Sequence, residues 1–361
     1  GSCYASDSVA AIEKAVADGV DVINFSIGGS QTSVRDAVQT AFANAALSGV
    51  FVAASAGNSG PGNTVAHSSP WVTTVGNSTH DRFTVATVTL GDGYQATGPS
   101  FQTAGIPSKP LVWSRQAGFD NVAVTEIQAQ CLGAADGLPA LLDPAKVAGK
   151  IVVCERGGNV LVNKATNVKT AGGAGMLLLN TPASANTVFN IAFDVPSVHL
   201  DNTHYAAVTA HLGVATPTAA FSGSVLQAGV IAPVMNNSSS RGPSLADLNI
   251  LKPDITAPGT DIIAAYTNNS ITPAQRQQII DGTLVPGPGA DMISGTSMSS
   301  PHVAGAAALL RQANPTWSPF AIKSALMTSA QQTVKLANGA TDANRWGFGS
   351  GHLNPNGALA T

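Results

Sequence analysis

Apolar residues recur at helical spacing between Asp7 and Asp18, where Val9, Ile12 and Val16 share one face. Ser6 or Asp7 is the predicted cap, and Gly19 ends the helix. Val20 to Ile27 then reads as a β-branched strand running into Gly28-Gly29. A second helix is predicted from about Val34 to Ser48, burying Val38, Phe42 and Ala45 or Ala46. Gly49 stops it, and Val50 to Ala56 is the next strand. Strand, helix and strand joined by such short loops make a right-handed βαβ unit of a parallel sheet. Both strands are almost continuously apolar, as expected where helices cover both faces. Ligands of such sheets gather at the carboxyl ends of the strands. Two glycine-rich loops lie there, Ser26-Ile27-Gly28-Gly29 and Ala56-Gly57-Asn58-Ser59-Gly60-Pro61-Gly62.

Further strands are predicted at Val72–Val75 and Val85–Leu90, and a helix near Val160 to Ala171 leads into a strand, Met176 to Leu179. Towards the C-terminus, Gly295-Thr296-Ser297-Met298-Ser299-Ser300-Pro301-His302-Val303-Ala304-Gly305 carries one serine straight into an apolar run, Val303 to Leu310. That run reads as a buried helix with Pro301 in its first turn, where the missing amide hydrogen has no intrahelical partner. A serine at a helix N-terminus sees unpaired N–H groups and the positive end of the helix dipole, which favours an anion, an oxyanion included. Position alone equally fits a plain N-cap. Ser318-Pro319 opens another helix, to about Ser329.

A chain of 361 residues can bury a large core and hold two domains. A net charge of −3 with 10% charged residues leaves no basic footprint for nucleic acid. Its longest apolar stretches, such as Val50 to Ala56 and Gly305 to Leu310, are too short to span a bilayer. Gly1 is no initiator and opens no signal-peptide pattern, so the start reads as the middle of a longer protein. Few charges among much Gly, Ala, Ser, Thr and Asn fit a secreted enzyme. Three cysteines leave one unpaired. Cys131 and Cys154 flank 22 residues. A bridge would contribute about 3 kcal/mol through loop closure, and two buried free thiols are the alternative.

Gly295-Thr296-Ser297-Met298-Ser299-x-Pro301-His302-Val303-Ala304-Gly305 closely resembles the nucleophile motif of the subtilisin-like serine proteases, the subtilases. The resemblance extends over nearly the whole chain. Asp21-Val22-Ile23-Asn24-Phe25-Ser26-Ile27-Gly28-Gly29 looks like the strand lining the substrate cleft, whose edge would pair with a peptide. Ala53 to Gly60 resembles the oxyanion loop, although Asn-x-Gly is also ordinary turn chemistry. Thr64-Val65-x-His67-x-x-Pro70-Trp71-Val72-Thr73-Thr74-Val75, with Asp81-Arg82, is similar to plant-type subtilases and their bacterial relatives. Asp143-Pro144 through Gly157, Gly172 to Gly175 and the following strand resemble the protease-associated domain, a small α+β module inserted into many subtilases. Ser239-Ser240-Arg241-Gly242-Pro243 and Lys252-Pro253-Asp254-Ile255-x-Ala257-Pro258-Gly259 match family signatures of mostly structural role, so Asp254 is not taken as a catalytic acid.

The resemblance implies an α/β fold: a parallel-sheet subtilisin-like core, incomplete at the N-terminus, with an inserted protease-associated domain. The implied boundaries are core at 1–96, insert at 97–225, and core with the nucleophile at 226–361. It implies a serine endopeptidase acting on proteins or peptides, with Ser297 as nucleophile and Asn58 beside the Ser297 amide as oxyanion donor. Ser26, Ile27 and Gly28 would line the cleft, with Ser55 and Gly57 near an apolar or unselective first specificity pocket. In plant-type subtilases a cysteine at the position of Cys3 pairs with one upstream. No cofactor is required; structural calcium is common in the family, but no acidic cluster here assigns a site.

A serine nucleophile needs a base and a group that orients it. The family's Asp motif, Asp followed by Ser or Thr and Gly, and its His-Gly-Thr-His motif do not occur here. His302 would sit roughly 140° round the helix from Ser297, so it is expected to be a satisfied core histidine. Asp342 and His352 follow Ser297 in the order of α/β-hydrolases, but position 299 is Ser where that fold's elbow has Gly. The resemblance therefore places the triad Asp and His, and the first strands, in an upstream segment of the same protein. The 361 residues alone are expected to be inactive. The competing reading is a pseudoprotease that binds partners through its protease-associated surface.

Overall fold

The computed structural model describes residues 3–120, 125–157, 160–184, 188–265, 272–284, 290–336 and 338–360. The chain divides into two compact units: Gly1–Asp81, Gly229–Ala264 and Ile293–Thr361 form the first, and Arg82–Ala228 with Ala265–Met292 form the second.

In the first unit, α1 (Ala5–Ala17), β1 (Val22–Phe25), α2 (Ala37–Leu47), β2 (Phe51–Ser55) and β3 (Thr73–Ser78) follow in order. A fourth strand, Ile255–Pro258, completes an all-parallel sheet in the order β1, β2, β3, Ile255–Pro258. β2 shows why the sheet takes helices on both sides. Successive side chains of a strand point to opposite faces. Phe51 and Ala53 pack with Val303, Ala307 and Leu310 of the helix Thr296–Ala313. Val52 and Ala54 pack with Ile12 of α1 and with Ala41, Phe42 and Ala45 of α2. All five β2 residues are buried.

Two expectations change here. The cap of α1 is Tyr4, without a side-chain bond, so neither Ser6 nor Asp7 caps it; both lie inside the first turn. Pro301 is not in a first turn either. The helix begins at Thr296 with Gly295 as its N-cap, which places Pro301 in the interior. Asp36, in contrast, caps α2 through the Gln39 amide at 2.9 Å.

The second unit is built on β4 (Thr84–Leu90), β5 (Gln95–Pro99), β6 (Ile106–Trp113), β7 (Ile151–Glu155), β8 (Gly175–Leu179), β9 (Ser197–Leu200), β10 (Thr218–Phe221) and β11 (Val225–Leu226). Their order is β11, β4, β10, β6, β7, β8, β9, with β5 on β4. β6 to β9 run parallel, and the β4, β5, β10 and β11 pairs are antiparallel. The expected limits at 97 and 225 fall inside this unit, because β4 already pairs with β10 and β11. Ile151, Val153, Leu177 and Leu179 pack on the side of the helix Tyr205–Leu212. Val152, Cys154, Met176 and Leu178 pack with Ala165 and Val168 of the helix Leu161–Thr170. On that side Cys131 and Cys154 form a disulfide, which decides between the two readings of these cysteines, and Cys3 is an exposed free thiol.

Candidate active site

The carboxyl ends of β1 and β2 open into Ser26–Gly29 and Ala56–Asn58, and the helix Thr296–Ala313 begins beside both. Ser297 is the second residue of that helix and half-buried. Its Oγ donates to the Ser26 carbonyl at 3.2 Å, and the Ser26 hydroxyl donates back to the Ser297 carbonyl at 2.9 Å. The second bond answers a deficit created by Pro301. In an α-helix the carbonyl of residue 297 would accept from the amide of residue 301, and proline has none.

Asn58 is tied to the same helix start. Its Oδ1 accepts from the Thr296 amide and the Thr296 hydroxyl, each at 3.0 Å. The Thr296 hydroxyl also accepts from the Gly57 amide at 3.2 Å. With Oδ1 committed, the orientation of the amide is fixed and Nδ2 remains as a donor. Nδ2 lies towards Gly295, 3.2 Å from where a Cβ would stand. The Ser297 N–H is one of the helix's first amides, which have no intrahelical acceptor. A neutral side-chain donor and an orphan backbone donor thus stand at the same helix start.

The loop bearing Asn58 is held by the Ser239-Ser240-Arg241 segment. Ser240 N donates to the Gly57 carbonyl at 2.9 Å, and Ser240 Oγ accepts from Ser59 N at 3.0 Å. Gly57 has φ +104°, and a Cβ there would meet Ser240 Oγ at 2.9 Å. Ser55 is buried, with Oγ 3.5 Å from the Ile27 carbonyl, while Ile27 is 38% exposed. Ser26, Ile27, Gly28, Ser55, Gly57, Asn58 and Ser297 therefore form one cluster. Sequence reasoning missed Thr296, Ser240 and His67 as its supports. Ser240 stood in a signature read as structural, and His67 was one letter of a longer resemblance.

His302 departs from expectation. It is exposed, not in the core, and a ring nitrogen lies 2.8 Å from the Met298 carbonyl one turn back. The helix turns Val303, Ala306 and Ala307 inward, which leaves 302 outward. His352 bonds Ser78 Oγ at 3.1 Å, and burial pushes its pKa down to about 4. Asp254 is buried between Lys252 Nζ at 2.7 Å and Lys323 Nζ at 2.9 Å. Burial opposes its charge, yet the two lysines hold the carboxyl below its usual value. Its role is to anchor the sheet, since it also accepts from Thr74 N at 2.7 Å. Among the described residues no three of His, Cys, Asp and Glu stand close enough to hold a metal, and no helix is long and apolar enough to cross a membrane.

Residues 1–349 match the model of the Subtilase family, Peptidase_S8. The chain belongs to the subtilase family. This subtilase is 38% identical over 366 residues to Subtilisin-like protease SBT5.3, an alignment covering 98% of this chain and 46% of that protein. To SBT1.7 it is 37% identical over 376 residues (98% and 46%), and to SBT1.4 39% identical over 376 residues (99% and 46%). All three are proteins of Arabidopsis thaliana. The chain thus spans about half the length of these curated relatives. The psychrophilic subtilisin-like protease Apa1 of Pseudoalteromonas sp. AS-11 superposes with a TM-score of 0.39 at 18% identity, over 98% of this chain and 72% of that one.

Proposed function

We propose that this subtilase chain is the nucleophile-bearing part of a secreted serine endopeptidase. One observation carries the reading: the start of the helix bearing Ser297 is bonded to both strand-end loops, to Ser26 through Ser297 and to Asn58 through Thr296. Ser297 Oγ attacks a peptide carbonyl and gives its proton to a base. The oxyanion forms between the Ser297 amide and Asn58, donors whose bonds strengthen as charge develops. Collapse expels the amine, which takes the proton from the base, and leaves an acyl-enzyme that water hydrolyses. The free edge of Ser26–Gly28 pairs with the substrate backbone. The base and its orienting carboxylate come from sequence outside these 361 residues, and the second unit is an inserted protease-associated domain.

Fluorophosphonate labelling of the full-length protein tests this. Labelling that depends on Ser297, and is lost in Ser297→Ala, is expected. Labelling that persists in Ser297→Ala refutes the nucleophile. No labelling of a full-length protein that carries an intact His-Gly-Thr-His segment favours a non-catalytic binding protein instead.

A further inference from the structure

One buried histidine has no part in this chemistry, yet it touches the cleft strand from behind. His67 is fully buried and has φ +53°, a conformation uncommon for any residue with a side chain. Its Nε2 lies 2.9 Å from the Ile27 carbonyl, and its Nδ1 lies 2.7 Å from Gln39 Nε2. A carbonyl only accepts, so Nε2 carries the hydrogen. The neutral ring then accepts at Nδ1 from the Gln39 amide. Burial, by holding the imidazole pKa below its usual value, keeps the ring in that form. Gln39 is itself buried on α2, and the ring is wedged edge-on between Phe25 and Phe42. Thr74 Oγ1 holds the His67 carbonyl at 2.6 Å. The ring also lies against Gly29, where a Cβ would come within 2.4 Å of it.

Past Phe25 the chain leaves the strand and bends at Ile27, and successive carbonyls turn to different sides. The Ser26 carbonyl faces Ser297. The Ile27 carbonyl faces inward, to His67. The N–H and C=O of Gly28 have no partner among the described residues. We infer that His67 is a positioning residue for substrate binding. Its bond to Ile27 fixes Ser26–Gly28 in the conformation whose outer edge reads a peptide. This rests on the proposed reading of that edge as the substrate strand.

Two substitutions separate this role from mere packing. In His67→Gln the side-chain amide reaches the place of Nε2 and keeps a donor to Ile27. In His67→Asn the shorter amide reaches only the place of Nδ1, and that donor is lost. Asn tolerates positive φ better than Gln, so a purely structural role ranks Asn above Gln. The full-length protein is assayed with a tetrapeptide anilide, long enough to lie along Ser26–Gly28, and with a single-residue ester that is not. His67→Asn is expected to raise KM for the tetrapeptide about tenfold, the loss of one buried hydrogen bond. Its kcat and its constants for the ester should stay within about twofold of the parent, with His67→Gln close to the parent throughout. Equal effects on both substrates, or His67→Gln faring no better than His67→Asn, overturn the inference. Hydrogen exchange needs no activity: residues 24–30 should exchange faster in His67→Asn but not in His67→Gln. Unchanged exchange in His67→Asn also overturns it. A parent protein that neither cleaves nor labels, yet shows the exchange difference, refutes the peptidase reading and leaves the brace standing. Should His67→Asn not fold, Gln39→Leu removes the donor that fixes the ring and is expected to give the same exchange change in smaller measure; no change there counts against the brace.

Discussion

The reciprocal bond between Ser26 and Ser297 can be tested through the proline that makes it necessary. Ser26→Ala removes the hydroxyl that donates to the Ser297 carbonyl at 2.9 Å. Pro301 offers that carbonyl nothing, so the substitution leaves a half-buried acceptor bare. Such an acceptor costs about 1–3 kcal/mol, and partial access to water places this one near ~1.5 kcal/mol. In a Pro301→Ala background the restored amide of residue 301 can close the ordinary helical bond to Ser297. Ser26→Ala then loses only a redundant donor, about 0.5 kcal/mol, so the cycle should show a coupling of roughly 1 kcal/mol. Urea unfolding at neutral pH, followed by tryptophan fluorescence, reads this. Trp71, Trp317 and Trp346 lie in the first unit, and Trp113→Phe silences the second. The two units need not unfold together, so a probe confined to one is required. If the two substitutions add to within about 0.3 kcal/mol, Pro301 does not create the need that Ser26 meets.

Asn58→Ala should lower kcat of the full-length enzyme by about 10²–10³, the loss known for a single oxyanion donor in subtilisin, with KM nearly unchanged; steady-state kinetics on one peptide substrate decide it. Removing the Cys131–Cys154 bridge as a double Cys→Ala variant should destabilise the second unit by about 3 kcal/mol, seen as a lower melting transition in Trp113 fluorescence with the first unit's transition unmoved. Acid should weaken the fold. His199 is pushed down to about 3 and His352 to about 4, both chiefly by burial. Unfolded, each binds a proton near its ordinary pKa of about 6.5, so the unfolded state gains protons first. Stability is therefore full above about pH 6.5 and falls towards pH 4. His352→Gln should flatten that slope in melting temperatures taken from pH 7 to 4.5, and an unchanged slope would remove His352 from the account.

Much of the core was legible because period and chemistry agree. The βαβ unit of β1, α2 and β2 follows from near-continuous apolar strands and from Val38, Phe42 and Ala45 at helical spacing. Ends were less legible. Val20 to Ile27 reads as one strand, but the strand runs only from Val22 to Phe25 and the chain bends at Ile27. The start of the helix bearing Ser297 is set from far away in sequence. Asn58, 238 positions earlier, takes the Thr296 amide as a cap would, and that contact moves the helix start ahead of Ser297. No local rule foresees it, so Ser297 read as a plausible cap and Pro301 as a first-turn residue. His302 was misplaced for the same reason: rotation relative to Ser297 gives its angle to the serine, but not which face of the helix meets the sheet.

The three ties that build the site share one dependence. Asn58 reaches Thr296, Ser26 reaches Ser297, and His67 reaches Ile27. Each joins a loop just beyond a strand end to a distant element, so each holds only while the strands keep their register. β1 and β2 pair with Phe25 opposite Ala54. A slip of one residue would carry Phe25 off the core face and withdraw the Ile27 carbonyl from His67 and Ser55 together. Phe25 and Phe42 stack edge-on, 5.1 Å between centroids, and the same two rings enclose His67. The aromatic packing that fixes the register is thus also the packing that seats the histidine behind Ile27. Core and site are set here by the same side chains.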